Sequence, residues 1–322
     1  MNKPAFLITI DTEGDNLWAN PRRICTENTH YLPRFQELCE KFNFKPTWLT
    51  NYEMVEDAAY VEFATDVISR KQGEVGMHLH AWNSPPEYRL TDDDLRYQPY
   101  LIEYPDHILR EKVCFMTSLL EDKFQVKMQS HRAGRWAFDA RYARILQELG
   151  YLVDCSVTPG VNWQFTRGAP QGKGGTDYRD FPKQAYFMDL MAISRPGNSS
   201  LLQVPMSTCN KYSPLVSILK QGVDKIRGRQ RSPAVLWLRP NRDNVAAMKK
   251  VVESQLQAGN DYVEFMLHSS EFMPGGSPTF KDKVSIEKLY DDLQQLFSWL
   301  SERTQGMTLS EYYHAKKGQS TI

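Results

Sequence analysis

Four short segments of this chain place groups able to hold a cation or move a proton at the ends of apolar runs. The first, Thr9-Ile10-Asp11-Thr12-Glu13-Gly14-Asp15, closes the run Ala5 to Ile10. In an extended strand residues i and i+2 share a face, so Asp11 and Glu13, with Asp15 as a third candidate, point one way. His78 and His80 stand in the same relation near the end of Glu74 to Trp82, and Trp82 continues that face. Two carboxylates and two imidazoles brought together make a donor set for a divalent metal. The third segment is Ser130-His131-Arg132-Ala133-Gly134-Arg135-Trp136, where Arg132 can pair with a catalytic carboxylate and keep it ionised. The fourth runs from Phe265 to Phe272, and its His268, at a strand end beside a metal, is a candidate general acid. Asp154 ends another run and can orient a neighbouring arginine or histidine, or serve as a structural cap. Singly, each motif has an ordinary structural explanation: a helix cap, a satisfied histidine, a surface ion pair, a loop histidine. Their joint presence makes the chemical reading the stronger one. His30, His107 and His314 fall in helical or loop segments and receive no role.

These groups need a scaffold that gathers strand ends. Apolar runs alternate with amphipathic helical stretches, which is the pattern of an α/β fold with parallel strands. Strands are expected at Ala5 to Ile10, Lys45 to Leu49, Glu74 to Trp82, Lys127 to His131, Tyr151 to Val157 and Tyr262 to His268. Helices are expected at Tyr31 to Phe44, Asp57 to Arg70 with Gly73 as its C-cap, and Pro105 to Lys123. Further helices are expected at Phe138 to Leu149 closed by Gly150, Asn244 to Leu256 and Val284 to Leu300. Val161 to Asp180 reads as a surface excursion, and Phe181 to Pro205 as a small antiparallel unit. A parallel barrel collects its strand ends at one rim. One barrel-like domain over residues 1–322 accommodates the whole pattern. The loops 84–104 and 159–180 are placed to shape a cleft. Trp18, Trp82, Trp136 and Trp163 lie near the motifs or in loops, where aromatic faces suit sugar stacking, although core packing is the default for tryptophan.

The chain has 322 residues, with Lys plus Arg at 39 matched by Asp plus Glu at 39. That balance argues against nucleic acid as a partner. The one basic cluster, Lys225, Arg227, Arg229 and Arg231 near Arg239 and Arg242, reads as a solvated face. With 41 % hydrophobic residues the chain can offset its folding entropy without disulfides or a structural metal. Cys25, Cys39, Cys114, Cys155 and Cys209 are odd in number and widely spaced, which points to reduced thiols. No run approaches the ~18 apolar residues of a membrane span. The opening Met1-Asn2-Lys3-Pro4 lacks the features of a signal peptide, so a cytoplasmic protein is expected.

In this order the motifs resemble those of the polysaccharide deacetylase family with NodB homology, over about residues 5–275. Asp11-Thr12-Glu13 resembles the first motif, Gly73-Glu74-Val75-Gly76-Met77-His78-Leu79-His80 the second, His131-Arg132-Ala133-Gly134-Arg135 the third and Leu267-His268-Ser269 the fifth. Asp154 falls where the fourth is expected. The His-Leu-His-x-Trp-x-x-Pro-Pro form, seen here through Pro86, resembles the divergent branch associated with O-antigen and other surface-polysaccharide clusters. The chain departs from the common pattern at three places: Thr12 separates the acidic pair, Trp82 stands where the second histidine usually lies, and Ala133 replaces a proline.

The resemblance implies a distorted (β/α) barrel and a metal-dependent N-deacetylase, most simply a Zn²⁺ enzyme. Its substrate would be an acetamido-sugar glycan or a lipid- or nucleotide-linked precursor. The implied roles are Asp11 as base, Glu13 (or Asp15), His78 and His80 on the metal, Arg132 holding Asp11, Asp154 orienting His268 or an arginine, and His268 as acid. Two other readings remain open at this stage: a glycan-binding protein without catalysis, and a metal amidohydrolase acting on a nucleotide-sugar amide.

Overall fold

The computed structural model describes residues 3–212 and 234–319. Lys225, Arg227, Arg229 and Arg231 lie outside them. The strands are β1 (Ala5–Thr12), β2 (Pro46–Thr50), β3 (Glu74–Leu79), β4 (Ser130–Ala133), β5 (Val153–Asp154), β6 (Tyr186–Phe187), β7 (Leu202–Gln203), β8 (Thr208–Asn210), β9 (Val235–Trp237), β10 (Tyr262–His268) and β11 (Gln305–Met307). The main sheet runs β10-β1-β2-β3-β4-β5-β7-β6, with β11 against the start of β1, and it is parallel except for the β6–β7 pair. Its two ends approach each other: the Tyr262 hydroxyl donates to Pro205 O at 2.7 Å, and Glu264 N donates to Ser207 Oγ at 2.8 Å. The curled sheet is therefore a distorted (β/α) barrel, closed on that side by side chains and loop backbone rather than by a continuous ladder.

Residue parity along the strands divides the molecule. Phe6, Ile8 and Ile10 of β1 pack outward into the cluster that holds Phe35, Trp48 and Phe297. Ala5 and Leu7 point inward with Leu49, Val153, Leu202 and Tyr262, and Leu309, Tyr312 and Tyr313 plug that end. Inward residues further along β1 are Thr9 and Asp11, both buried. The barrel interior thus changes from apolar at one end to polar at the C-terminal rim.

The long helices match the expected periods: Leu32–Lys41, Ala58–Ser69, Asp106–Phe124, Ala140–Glu148, Val245–Gln257 and Lys283–Ser301. Asp57 and Asp139 cap two of them by accepting from backbone N–H groups of the first turn. Gly150 has φ 87° and ends Ala140–Glu148 as anticipated. Gly73 does not cap the earlier helix. Lys71 takes the left-handed position at φ 56°, and Gly73 is instead where a Cβ would lie 2.7 Å from Pro46 O. The strand at Tyr151 to Val157 contracts to Val153–Asp154. The antiparallel unit within Phe181 to Pro205 reduces to the β6–β7 pair. All five cysteines are free. No helix among the described residues is long and apolar enough to cross a membrane.

Candidate metal centre

The rim brings the sequence candidates together by the alternation that singled them out. Asp11 and Glu13 continue the inward face of β1, and Asp11 stands in register with His268 of β10. His78 and His80 extend the inward face of β3. Glu13 Oε2 lies 2.8 Å from His80 Nε2 and 3.5 Å from His78 Nε2, and the two imidazole nitrogens are 3.2 Å apart. Nitrogen and oxygen ligands at tetrahedral Zn²⁺ distances sit ~3.3 Å from one another. Glu13, His78 and His80 therefore fit a divalent cation, and all three are buried. His78 Nδ1 donates to Arg132 O at 2.9 Å, which leaves its Nε2 lone pair facing the other donors. One carboxylate and two imidazoles form an open set with room for further ligands.

Asp15 leaves this face. It accepts from Glu27 N at 2.9 Å and from Asn28 N at 3.0 Å, anchoring the short helical turn that follows. Of the two candidate carboxylates, Glu13 lies with the imidazoles and Asp15 does not. His80, two positions after His78, faces the same group of donors. Trp82 packs beside His80 in a tilted arrangement with ring centroids 5.2 Å apart.

Arg132 is fully buried and lies beneath the rim. Its Nη1 donates to Asp11 Oδ1 at 2.6 Å, its Nη2 to Thr9 Oγ1 at 2.7 Å, and its Nε to Cys155 O at 3.3 Å. Burial alone would push the Asp11 carboxyl up. The guanidinium, with His78 and His268, outweighs burial and holds Asp11 below the usual carboxylate value. Glu13 is lowered likewise, since His268, His78 and His80 overcome its burial. Burial and His78 keep His80 below its ordinary value despite Glu13, which favours the neutral ring a metal requires.

His268 Nε2 is 3.7 Å from Asp11 Oδ2 and 3.9 Å from Glu13 Oε1. Trp18 meets its ring edge-on at 4.8 Å. Asp154 is not part of this constellation. It pairs in register with His131 on the outward face, where His131 Nδ1 donates to it at 2.7 Å and Ser156 N and Oγ take its remaining capacity. Strand parity turns it toward the helix Ala140–Glu148, so it reaches neither His268 nor an arginine side chain.

A cavity of about 360 Å³ opens over the cluster. Trp18, Trp82, Trp136 and Trp163 all line it, as do Gln98 and Tyr100 from one predicted cleft loop and Thr166 from the other. Arg239 lines it too and pairs with Glu271 at 3.0 Å, so it is not part of a solvated basic face.

Three supporting acids carry no role in the sequence reading. Glu264, fully buried on β10, accepts from Arg132 Nη2 and from Thr9 Oγ1. A lone carboxyl inside the apolar run Tyr262 to Leu267, on the same face as His268, was the available signal. Glu53 accepts from Gly14 N at 2.6 Å and from Asn51 Nδ2 at 3.2 Å, while Asn51 Oδ1 accepts from His80 N at 3.2 Å. That chain of bonds ties the Glu13 loop to the His80 backbone, and nothing in local sequence marks it. Glu271 touches His268 directly.

No protein-family model and no curated protein matches the sequence. Solved structures do match the fold. A Mycobacterium smegmatis protein assigned as a polysaccharide deacetylase superposes with a TM-score of 0.56 at 13 % identity, covering 99 % of this chain and 92 % of that one. A Parabacteroides distasonis protein assigned as a glycoside hydrolase/deacetylase gives 0.66 at 12 % identity, covering 99 % and 72 %. An allantoinase gives 0.51 at 12 % identity, covering 96 % and 88 %. Identities this low speak to fold alone, and the fold is that of the polysaccharide deacetylases, as the sequence motifs implied.

Proposed function

We propose that this protein is a metal-dependent N-deacetylase of an acetamido sugar, acting in the cytoplasm on a bacterial surface polysaccharide or on its lipid- or nucleotide-linked precursor. The observation that carries the reading is the convergence of Asp11, Glu13, His78, His80 and His268 on one tryptophan-lined cavity.

A divalent cation held by Glu13, His78 and His80, Zn²⁺ by the chemistry of the donors, would supply Lewis acidity toward an amide carbonyl and acidify water near neutral pH. Asp11 Oδ2 takes the proton of the attacking water. Its other oxygen is held by Arg132, which keeps the carboxylate ionised and aimed. The water oxygen first adds to the amide carbon, forming the C–O bond, and the C–N bond then breaks as His268 Nε2 gives a proton to the leaving nitrogen. The products are acetate and a free amino sugar. The tryptophan faces suit the apolar face of a sugar ring and exclude water around it.

The test combines metal analysis with acetate release from acetamido-sugar substrates. About one equivalent of metal per chain and acetate release are expected. Asp11→Asn should keep the metal and lose roughly 10²- to 10⁴-fold in rate. A mutant as fast as wild type would remove Asp11 as base. Formate in place of acetate would point to another amidohydrolase, and a metal-free protein would point to glycan binding without catalysis.

A further inference from the structure

His268 requires a partner at Nδ1, and the residue expected to provide it, Asp154, faces away from the cleft. We infer that Glu271, backed by Arg239, is the positioning carboxylate of His268. The inference deepens the proposed function and rests on His268 acting as its general acid.

The local fold supplies the geometry. β10 ends at His268 and passes at once into the short turn Ser269–Phe272, which folds residue i+3 back onto the histidine. Glu271 Oε2 lies 3.0 Å from the His268 backbone N and 3.1 Å from its ring Nδ1. The same oxygen accepts from Arg239 Nη2 at 3.0 Å. Glu271 is 1 % exposed, so a charge there requires compensation, and Arg239 supplies it from the cavity wall. Burial pushes the Glu271 carboxyl up, but Arg239 and His268 hold it below its ordinary value. Backbone and ring are thus clamped by one carboxylate oxygen, in a segment of four residues.

Arg239 Nη2 is also 3.1 Å from Nδ1, so two proton arrangements compete. In one, Nδ1–H donates to Glu271 and Nε2 presents its lone pair to the cleft. In the other, Nδ1 accepts from Arg239 and the neutral ring carries its hydrogen on Nε2. The second would set the Nδ1 lone pair 3.1 Å from an anionic oxygen with no hydrogen between them. Arg239 already has that oxygen as an acceptor, so the first arrangement wins. Nε2 is then the ring nitrogen open to the cleft, placed to carry a proton to the departing nitrogen.

The test reads the ring directly, in metal-free protein labelled with ¹⁵N-histidine. Two-bond ¹H–¹⁵N spectra are recorded at alkaline pH, where a histidine ring is neutral. The His268 signals are identified by their loss in His268→Gln. Wild type should show the Nδ1–H tautomer, Glu271→Gln should lose that preference, and Arg239→Gln should retain it. A wild-type ring protonated mainly on Nε2, a Glu271→Gln spectrum like wild type, or an Arg239→Gln ring switched to Nε2–H would each overturn the assignment. On an acetamido substrate, Glu271→Gln should lower kcat by roughly 10- to 100-fold with KM unchanged. The spectra need no substrate. Failure to find acetate release would therefore refute the deacetylase reading while the role of Glu271 is still decided.

Discussion

Replacing Glu264 by glutamine probes how the charges beneath the cleft are balanced. Arg132 has no solvent exposure and meets two carboxyls, Asp11 and Glu264. One ionised carboxylate neutralises the guanidinium, and a second leaves excess negative charge in the core. His78 and His268 stabilise Asp11 further, so the proton resides on Glu264. Its carboxyl is pushed up by burial to about 7, against the opposing pull of Arg132 and the Thr9 hydroxyl. Glu264 Oε2 has no hydrogen-bond partner among the described residues, so the ionised carboxylate is bonded at Oε1 alone.

A carboxyl raised in the folded state binds its proton more tightly there than in the unfolded chain. Its stabilising contribution is complete below the ordinary value of 4.5 and is lost as pH rises through about 7. At 1.36 kcal/mol per pKa unit the whole loss is about 3 kcal/mol, most of which falls between about pH 5 and about pH 9. Glu264→Gln keeps an oxygen to accept from Arg132 and Thr9 but cannot ionise. Urea unfolding of metal-free wild type and variant across that range should show the variant gaining about 2 to 3 kcal/mol relative to wild type as pH rises. Other buried acids, such as Glu53 and Glu74, cancel in the difference. Parallel stability curves would show that Glu264 is ionised throughout, and the charge argument would fail.

The metal set gives a direct expectation: His78→Ala and His80→Ala should each abolish stoichiometric Zn²⁺ or Co²⁺ uptake, measured by elemental analysis after dialysis. Asp15→Ala should leave that uptake intact and instead loosen the segment around Glu27 and Asn28, seen as faster amide exchange there, because Asp15 bonds to those backbone groups. Gly134→Ala should weaken metal binding and lower stability by roughly 1 to 3 kcal/mol. A Cβ at position 134 would lie 2.4 Å from Leu79 O and 2.7 Å from His80 Nδ1, so the His80 ring must move. Unchanged metal affinity in that variant would mean the backbone yields instead.

The part of this molecule that could be read from sequence is the part governed by period. Tyr262 to His268 is apolar throughout except at its functional positions, and the strand occupies the span expected for it. Alternation put Asp11 with Glu13 and His78 with His80, and register between neighbouring parallel strands did the rest. The same rule explains the failure at Asp154. It sits one residue off the inward set of Val153 and Cys155, and a shift of one position reverses the face. β11 and the helix Leu309–Gln319 went unseen for a different reason. Gln305-Gly306-Met307 has no alternation, and the large apolar residues of the helix are Leu309, Tyr312 and Tyr313, a single turn of signal.

Glu264, Glu271 and the Asn51–Glu53 link were given no role by the motifs. Glu264 and the Asn51–Glu53 link act across gaps closed by folding, Glu271 acts through a local turn, and each meets a partner whose own position the motifs did specify. The motif residues mark where the chemistry is. The acids that hold them, at Arg132, at His268 and at the Glu13 loop, become identifiable only when burial makes an uncompensated charge untenable. Arg132 and His268, two charged or chargeable groups at the site, are each paired with an acid to which the motifs gave no role, Glu264 and Glu271. The variants most informative about mechanism lie at those partners rather than at the ligands themselves.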